Sequence, residues 1–173
     1  LDGGGVLKAI NAKGAAALLS KEQLKKWEEW VKTEFGAKGL AYIKWSAGGE
    51  WESPIVKFFT EEEKAALAAK LNFTEGDVLF FGADKLEAAC EVLGRVRLRC
   101  AELLGLIKAA ADQLNFLWVV DFPLVEWHED DKRWYSVNHP FTAPMDEDVP
   151  LLESQPGRMR AKEFLEDLAD LVE

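Results

Sequence analysis

Apolar positions along this chain follow two periods, and the alternation between them predicts its elements. Val6 to Ile10 reads as a short strand, and Asn11-Ala12-Lys13-Gly14 supplies turn residues after it. Ser20 with Gln23 three residues later is a capping-box pair. Leu24, Trp27 and Val31 follow at helical spacing, and Gly36 fits a C-terminal stop. Leu40 to Trp45 then alternates as a strand does, with Leu40, Tyr42 and Lys44 on one face and Ala41, Ile43 and Trp45 on the other. Gly48-Gly49 predicts a hairpin turn into Trp51.

Pro54 to Phe59 reads as a second extended run. Thr60 with Glu63 forms another capping box ahead of the alanine-rich helix EEEKAALAAKL. Glu75-Gly76-Asp77 turns the chain into Val78-Leu79-Phe80-Phe81, a continuous apolar run typical of a strand covered on both faces. Lys85 to Leu104 is a long amphipathic helix with Gly105 beyond its end. The pattern shifts near Leu106. From Phe116 it is extended, with a hairpin around Glu129-Asp130-Asp131-Lys132, and Pro140, Pro144, Pro150 and Pro156 then keep the chain irregular. Arg158 to Val172 reads as an amphipathic C-terminal helix. The fold class is therefore α/β (α+β): a mixed sheet with flanking helices, followed by an antiparallel hairpin. The expected division is 1–105, 106–155 and 156–173.

At 173 residues and 49% hydrophobic, the chain is long enough to bury a core. No apolar run reaches the roughly 18 residues of a membrane span, and no signal peptide is visible. The first residue is not Met, which suggests a piece of a longer protein. The net charge of −10 argues against strong autonomous nucleic-acid binding, which needs clustered Lys and Arg. Arg95, Arg97 and Arg99 are the one basic concentration; alternating positions do not share a helical face, so they read first as solvated surface. Cys90 and Cys100 lie ten residues apart on one helix, about 15 Å along its axis. That excludes a bridge between them and leaves two reduced, buried thiols of a cytosolic protein. With His128 and His139 the only histidines, no metal-ligand spacing exists.

Most remaining features have simple structural readings. Gly3-Gly4-Gly5 lacks the Lys and Ser or Thr of a phosphate loop and reads as a flexible lead-in. Glu61-Glu62-Glu63 suits the positive end of a helix dipole. His128 sits among Glu126, Glu129, Asp130 and Asp131 as a solvated turn, with a weak cation site as the lesser alternative. The seven tryptophans read as core or boundary packing, Trp27 and Trp118 most clearly as core. Asn138-His139 differs, because it ends a strand and enters a proline-bounded loop where side chains can face a ligand.

The run FLWVVDFPLVEW from Phe116, followed by Asn138-His139-Pro140-Phe141-Thr142-Ala143-Pro144, resembles the catalytic-core segment of bacterial-type aspartyl-tRNA synthetases. Residues 1 to about 105 resemble the insert of the same family, the GAD domain. They do so through Gly36-Ala37-Lys38-Gly39-Leu40-Ala41-Tyr42-Ile43-Lys44, Ser53-Pro54-Ile55-Val56-Lys57-Phe58, Gly76-Asp77-Val78-Leu79-Phe80-Phe81 and Leu93-Gly94-Arg95-Val96-Arg97-Leu98.

The resemblance implies a part of a cytoplasmic, homodimeric ligase that activates aspartate with ATP and Mg²⁺ and transfers it to tRNA. Asn138 and His139 become substrate-binding candidates, and Arg95, Arg97 and Arg99 candidates for contact with the tRNA backbone. Family members usually carry two adjacent histidines before Pro-Phe-Thr, the first associated with aspartate. Asn138 stands at that position here; it can donate a hydrogen bond but cannot become cationic. The family's ATP-binding motifs are missing, so no catalytic residue, metal ligand or cofactor is assigned to the chain itself. Two other readings fit the same residues: a tRNA-contacting binding module, and a synthetase paralogue without catalysis.

Overall fold

A computed structural model of the chain describes residues 4–109, 116–139 and 141–162. Gly3 of the expected lead-in, Pro140 and residues 163–173 of the expected C-terminal helix lie outside the described residues. The chain forms two compact units, Leu1–Gln113 and Leu114–Glu173.

Local chemistry fixes the first unit's elements. Helix α1, Lys21–Phe35, opens on a full capping box: the Gln23 N–H donates to the Ser20 hydroxyl while the Ser20 N–H donates to the Gln23 side chain. It closes on Gly36 at φ 63°, a left-handed conformation that costs glycine little. Helix α2, Glu61–Leu71, opens on the same device at Thr60 and Glu63, with three glutamates in its first turn. Helix α3 spans Leu86–Leu103, and the short α4 spans Leu106–Ala109.

Strands β1 (Val6–Ala12), β2 (Ala41–Trp45), β3 (Trp51–Glu52) and β4 (Val78–Asp84) form one sheet in the order β1-β4-β2-β3. Every pairing in it is antiparallel, so the sheet is not mixed as expected. The reason lies in the topology. β1 and β2, joined through α1, run the same way, but the late strand β4 inserts between them and runs against both. The expected extended run Pro54 to Phe59 is also different: a turn leads into a 3₁₀ turn over Val56–Phe58, which carries Ile55, Val56 and Phe59 against the core.

Strand periodicity sends β4 to both faces. Val78 and Phe80 join a cluster with Leu24, Trp27 and Val31 of α1 and Val92 and Val96 of α3. Leu79 and Phe81 join Ile43, Phe73 and the α2 side chains Leu67 and Leu71. β2 and the Leu40 before it divide as the alternation predicts, Leu40 and Tyr42 to the first cluster and Ile43 and Trp45 to the second. Phe80 is fully buried and stacks on Trp27 with ring centroids 5.6 Å apart. Burying one such side chain contributes about 2–3 kcal/mol.

One buried carboxylate ties the ends of this sheet together. Asp77 accepts from the backbone N–H of Gly14 and of Thr74, each at 3.0 Å, from the Asn11 amide at 3.2 Å and from the Lys13 ammonium at 2.9 Å. Burial opposes its ionisation, but the Lys13 ammonium and these N–H groups outweigh that and hold its pKa at about 2.

The second unit is built on an antiparallel hairpin, β5 (Val125–His128) and β6 (Arg133–Ser136), with the turn where the sequence puts it. The helix expected from Arg158 does not begin there. Pro156–Arg158 is a 3₁₀ turn, and the following residues run extended: Arg160 bridges Pro123 and Ala161 bridges Pro144. Backbone N–H groups of Leu124 and Ala161 donate to Met159 and Phe122, and those of Met145 and Lys162 donate to Arg160 and Ala143. An extended segment wedged between two others satisfies its backbone groups on both edges, and this outweighs helical periodicity. Leu124, Met159 and Ala161 form the unit's small core. Trp118 is not core; it is 70% exposed, within a run from Phe116 to Val120 that is exposed throughout.

Candidate substrate-binding site

The end of β6 delivers Asn138 and His139 to an open cavity of about 750 Å³ within the second unit. Trp118, Val119 and Phe122 form its apolar wall, while Asn138, His139, Thr142 and Lys162 supply polar groups. An apolar hollow with a few convergent polar groups is the usual composition of a small-molecule site.

The loop that presents these groups is held by its own backbone. The Ser136 hydroxyl donates to the Asn138 carbonyl at 2.8 Å, and the Thr142 N–H donates to the His139 carbonyl at 2.9 Å. The Phe141 N–H donates to His139 Nδ1 at 3.4 Å, and the two rings meet edge to face with centroids 4.7 Å apart. With Nδ1 accepting, the proton of the neutral imidazole sits on Nε2. Asn138 is half-buried and His139 exposed. The Lys162 ammonium lies 2.9 Å from Asp146. The arrangement can hold a small polar ligand by hydrogen bonds; the two predicted residues meet here.

The same unit holds a group that the sequence reading missed. Asp148 is buried, and Arg160 grips both its oxygens, Nε at 2.8 Å and Nη2 at 2.9 Å. The Arg160 guanidinium and its backbone N–H hold the Asp148 carboxyl down at about 2 despite burial. Arg160 also meets Asp121 and Glu147. The acidic run Asp146-Glu147-Asp148 was visible in the sequence, but a helix assignment over Arg160 hid its partner.

The arginine candidates lie in the first unit. Arg95 and Arg99 are one turn apart on α3 and do share a face, contrary to the alternating reading. Arg95 lies over Phe35 at 5.7 Å, and Arg99 over Trp30 at 4.2 Å and Trp27 at 5.3 Å. Arg97 is exposed on another side of the helix. Both cysteines are free thiols, but Cys90 is exposed rather than buried; only Cys100 is buried, and burial pushes its thiol up to about 11.

His128 pairs within its own hairpin: Nδ1 lies 3.1 Å from Asp131, which also accepts the Tyr135 hydroxyl at 2.6 Å. Among the described residues, no three His, Cys, Asp or Glu side chains are grouped to hold a metal ion. Asp121, Glu147 and Asp148 pair with Arg160, and Asp146 pairs with the cavity-lining Lys162. Among the described residues, no helix is long and apolar enough to cross a membrane.

Residues 1–93 match the family model described as the GAD domain. The aspartate–tRNA(Asp/Asn) ligase of Geotalea uraniireducens (strain Rf4) is 49% identical over 162 residues, which are 94% of this chain and 26% of that protein. The enzyme of the same name from Opitutus terrae (strain DSM 11246 / JCM 15787 / PB90-1) is 50% identical over 165 residues, again 94% of this chain and 27% of the relative. The aspartate–tRNA ligase of Geobacillus kaustophilus (strain HTA426) is 46% identical over 161 residues, 93% and 27% of the two chains. The chain therefore spans about a quarter of the length of the curated relatives it matches.

Proposed function

This chain belongs to the GAD-domain family, and from that premise we propose that it is one part of an aspartate–tRNA ligase, contributing the insert and one wall of the aspartate site. The observation that carries this reading is identity near one-half that runs through both units, across 94% of the chain. Unit 1 is the insert. Unit 2 supplies the cavity, in which the Asn138 amide donates to a substrate carboxylate and His139 donates from Nε2.

Asn138 makes this a neutral hydrogen-bonding contact, so orientation rather than charge is its contribution. ATP with Mg²⁺ supplies the activating phosphoryl chemistry in such a ligase. In this reading no residue of this chain is assigned to hold them. The complete enzyme is a cytoplasmic homodimer in this reading. Its tRNA is touched by Arg95, Arg97 and Arg99. Arg95 and Arg99 are engaged with ring faces and Arg97 is exposed on another side, so Arg97 is the first of the three to test.

The test is a graft. Residues of the Geotalea uraniireducens ligase that match this chain are replaced by it, and aspartate-dependent ATP–pyrophosphate exchange is measured. Exchange within about tenfold of the parent is expected, a change of about 1.4 kcal/mol in barrier. A graft that folds and shows no exchange contradicts the proposal.

A further inference from the structure

Arg160 does not line the cavity, yet it reaches the segments that do. Its Nε and Nη2 hold both Asp148 oxygens, and its backbone N–H donates to the same carboxylate at 2.9 Å. Asp148 is 8% exposed at its side chain, so this is the fixed end of the assembly. The far end is Asp121, met by Nη1 at 3.1 Å and 68% exposed. Asp121 adopts φ 55°, a left-handed corner that aspartate tolerates better than most residues.

That corner lies between Val119 and Phe122, which both form the apolar wall. On the other side of Arg160 along the chain, Ala161 and Lys162 also line the cavity. A guanidinium that only neutralised Asp148 would need one carboxylate. This one spans three, from two segments far apart in sequence. We infer that Arg160 is a positioning residue for this cavity: anchored on Asp148, it fixes the Asp121 corner and so sets the spacing between the Val119–Phe122 wall and Asn138–His139. This rests on the reading of the cavity as an aspartate site.

The grafted ligase tests it with three substitutions. Arg160→Lys keeps the charge but cannot fork onto Asp148 while reaching Asp121. Asp121→Gly keeps the left-handed corner and removes only the link. Asn138→Ala reports on the cavity itself. Asp121→Gly removes one exposed pair, a weak interaction, and should raise the KM for aspartate about threefold. Arg160→Lys, which also loses the fork, should raise it about tenfold. In both, kcat and the KM for ATP should stay within about twofold.

Lost folding alone would lower apparent kcat and leave KM unchanged. If Asn138→Ala raises the aspartate KM while the Arg160 and Asp121 variants change only kcat or melting temperature, the inference is overturned and the reading of the cavity stands. If Asn138→Ala leaves that KM unchanged, the reading of the cavity falls and the inference with it.

Discussion

The first unit buries both faces of its sheet, whereas the described residues of the second gather their buried apolar side chains into a cluster of three. The first is held by periodic apolar contacts, the second by backbone bonds along one extended segment and by the polar grip of Arg160 on Asp148. The candidate site lies in the second. Stability and ligand contact thus draw on different chemistry: burial scales with area, while a cavity needs exposed walls and a few fixed polar groups.

Substitutions should separate the two regions, and the largest effect belongs to the doubly covered sheet. Phe80→Ala removes a fully buried ring and should cost about 3–5 kcal/mol in denaturant unfolding, with the aspartate contact proposed for the cavity unaltered once the protein is folded. A cost under about 1 kcal/mol would mean that the core is not organised around β4.

Asp77→Asn comes next. A carboxyl held near 2 in the folded state, against about 3.9 unfolded, contributes about 2–3 kcal/mol. The folded pKa is the lower one, so the contribution is present above about pH 4 and is lost as pH falls towards 2. Unfolding measured across that window should show the loss in the native chain and a flatter profile in the variant.

Smaller effects sharpen the contrast. Ser20→Ala removes one half of a capping box and should cost about 1 kcal/mol, read as a lower melting temperature. Trp118→Ser, at a side chain 70% exposed, should change stability by less than about 0.5 kcal/mol while weakening the binding of an apolar dye. If Trp118→Ser destabilised the chain more than Ser20→Ala, the second unit would be held by burial after all.

The two regions also differ in how legible they were. Capping boxes, Gly36 and the alternation of Leu40–Trp45 are local rules, and the first unit obeys them. What escaped was non-local: β4 inserts between β1 and β2, which turns an expected mixed sheet antiparallel. Arg95 and Arg99 share a face by helical spacing alone, a local rule that reading the three arginines as simply alternating passed over; what needed the fold was their place over Phe35, Trp27 and Trp30. In the second unit, helical spacing from Arg158 gave way to backbone pairing with 122–124 and 143–145, partners that no local pattern names. Trp118 looked like core because a covered strand and an exposed apolar wall have the same composition. Asn138 and His139 were proposed from motif and from their place at a strand end, whereas Arg160 needed the fold.

The most direct test compares two variants of the grafted ligase, Asn138→Ala and Phe80→Ala, for aspartate KM and melting temperature together. The account predicts a raised KM with unchanged melting for Asn138→Ala, and lowered melting with unchanged KM for Phe80→Ala. An unchanged KM in Asn138→Ala, or a raised one in Phe80→Ala, would contradict the placing of the aspartate contact in the second unit.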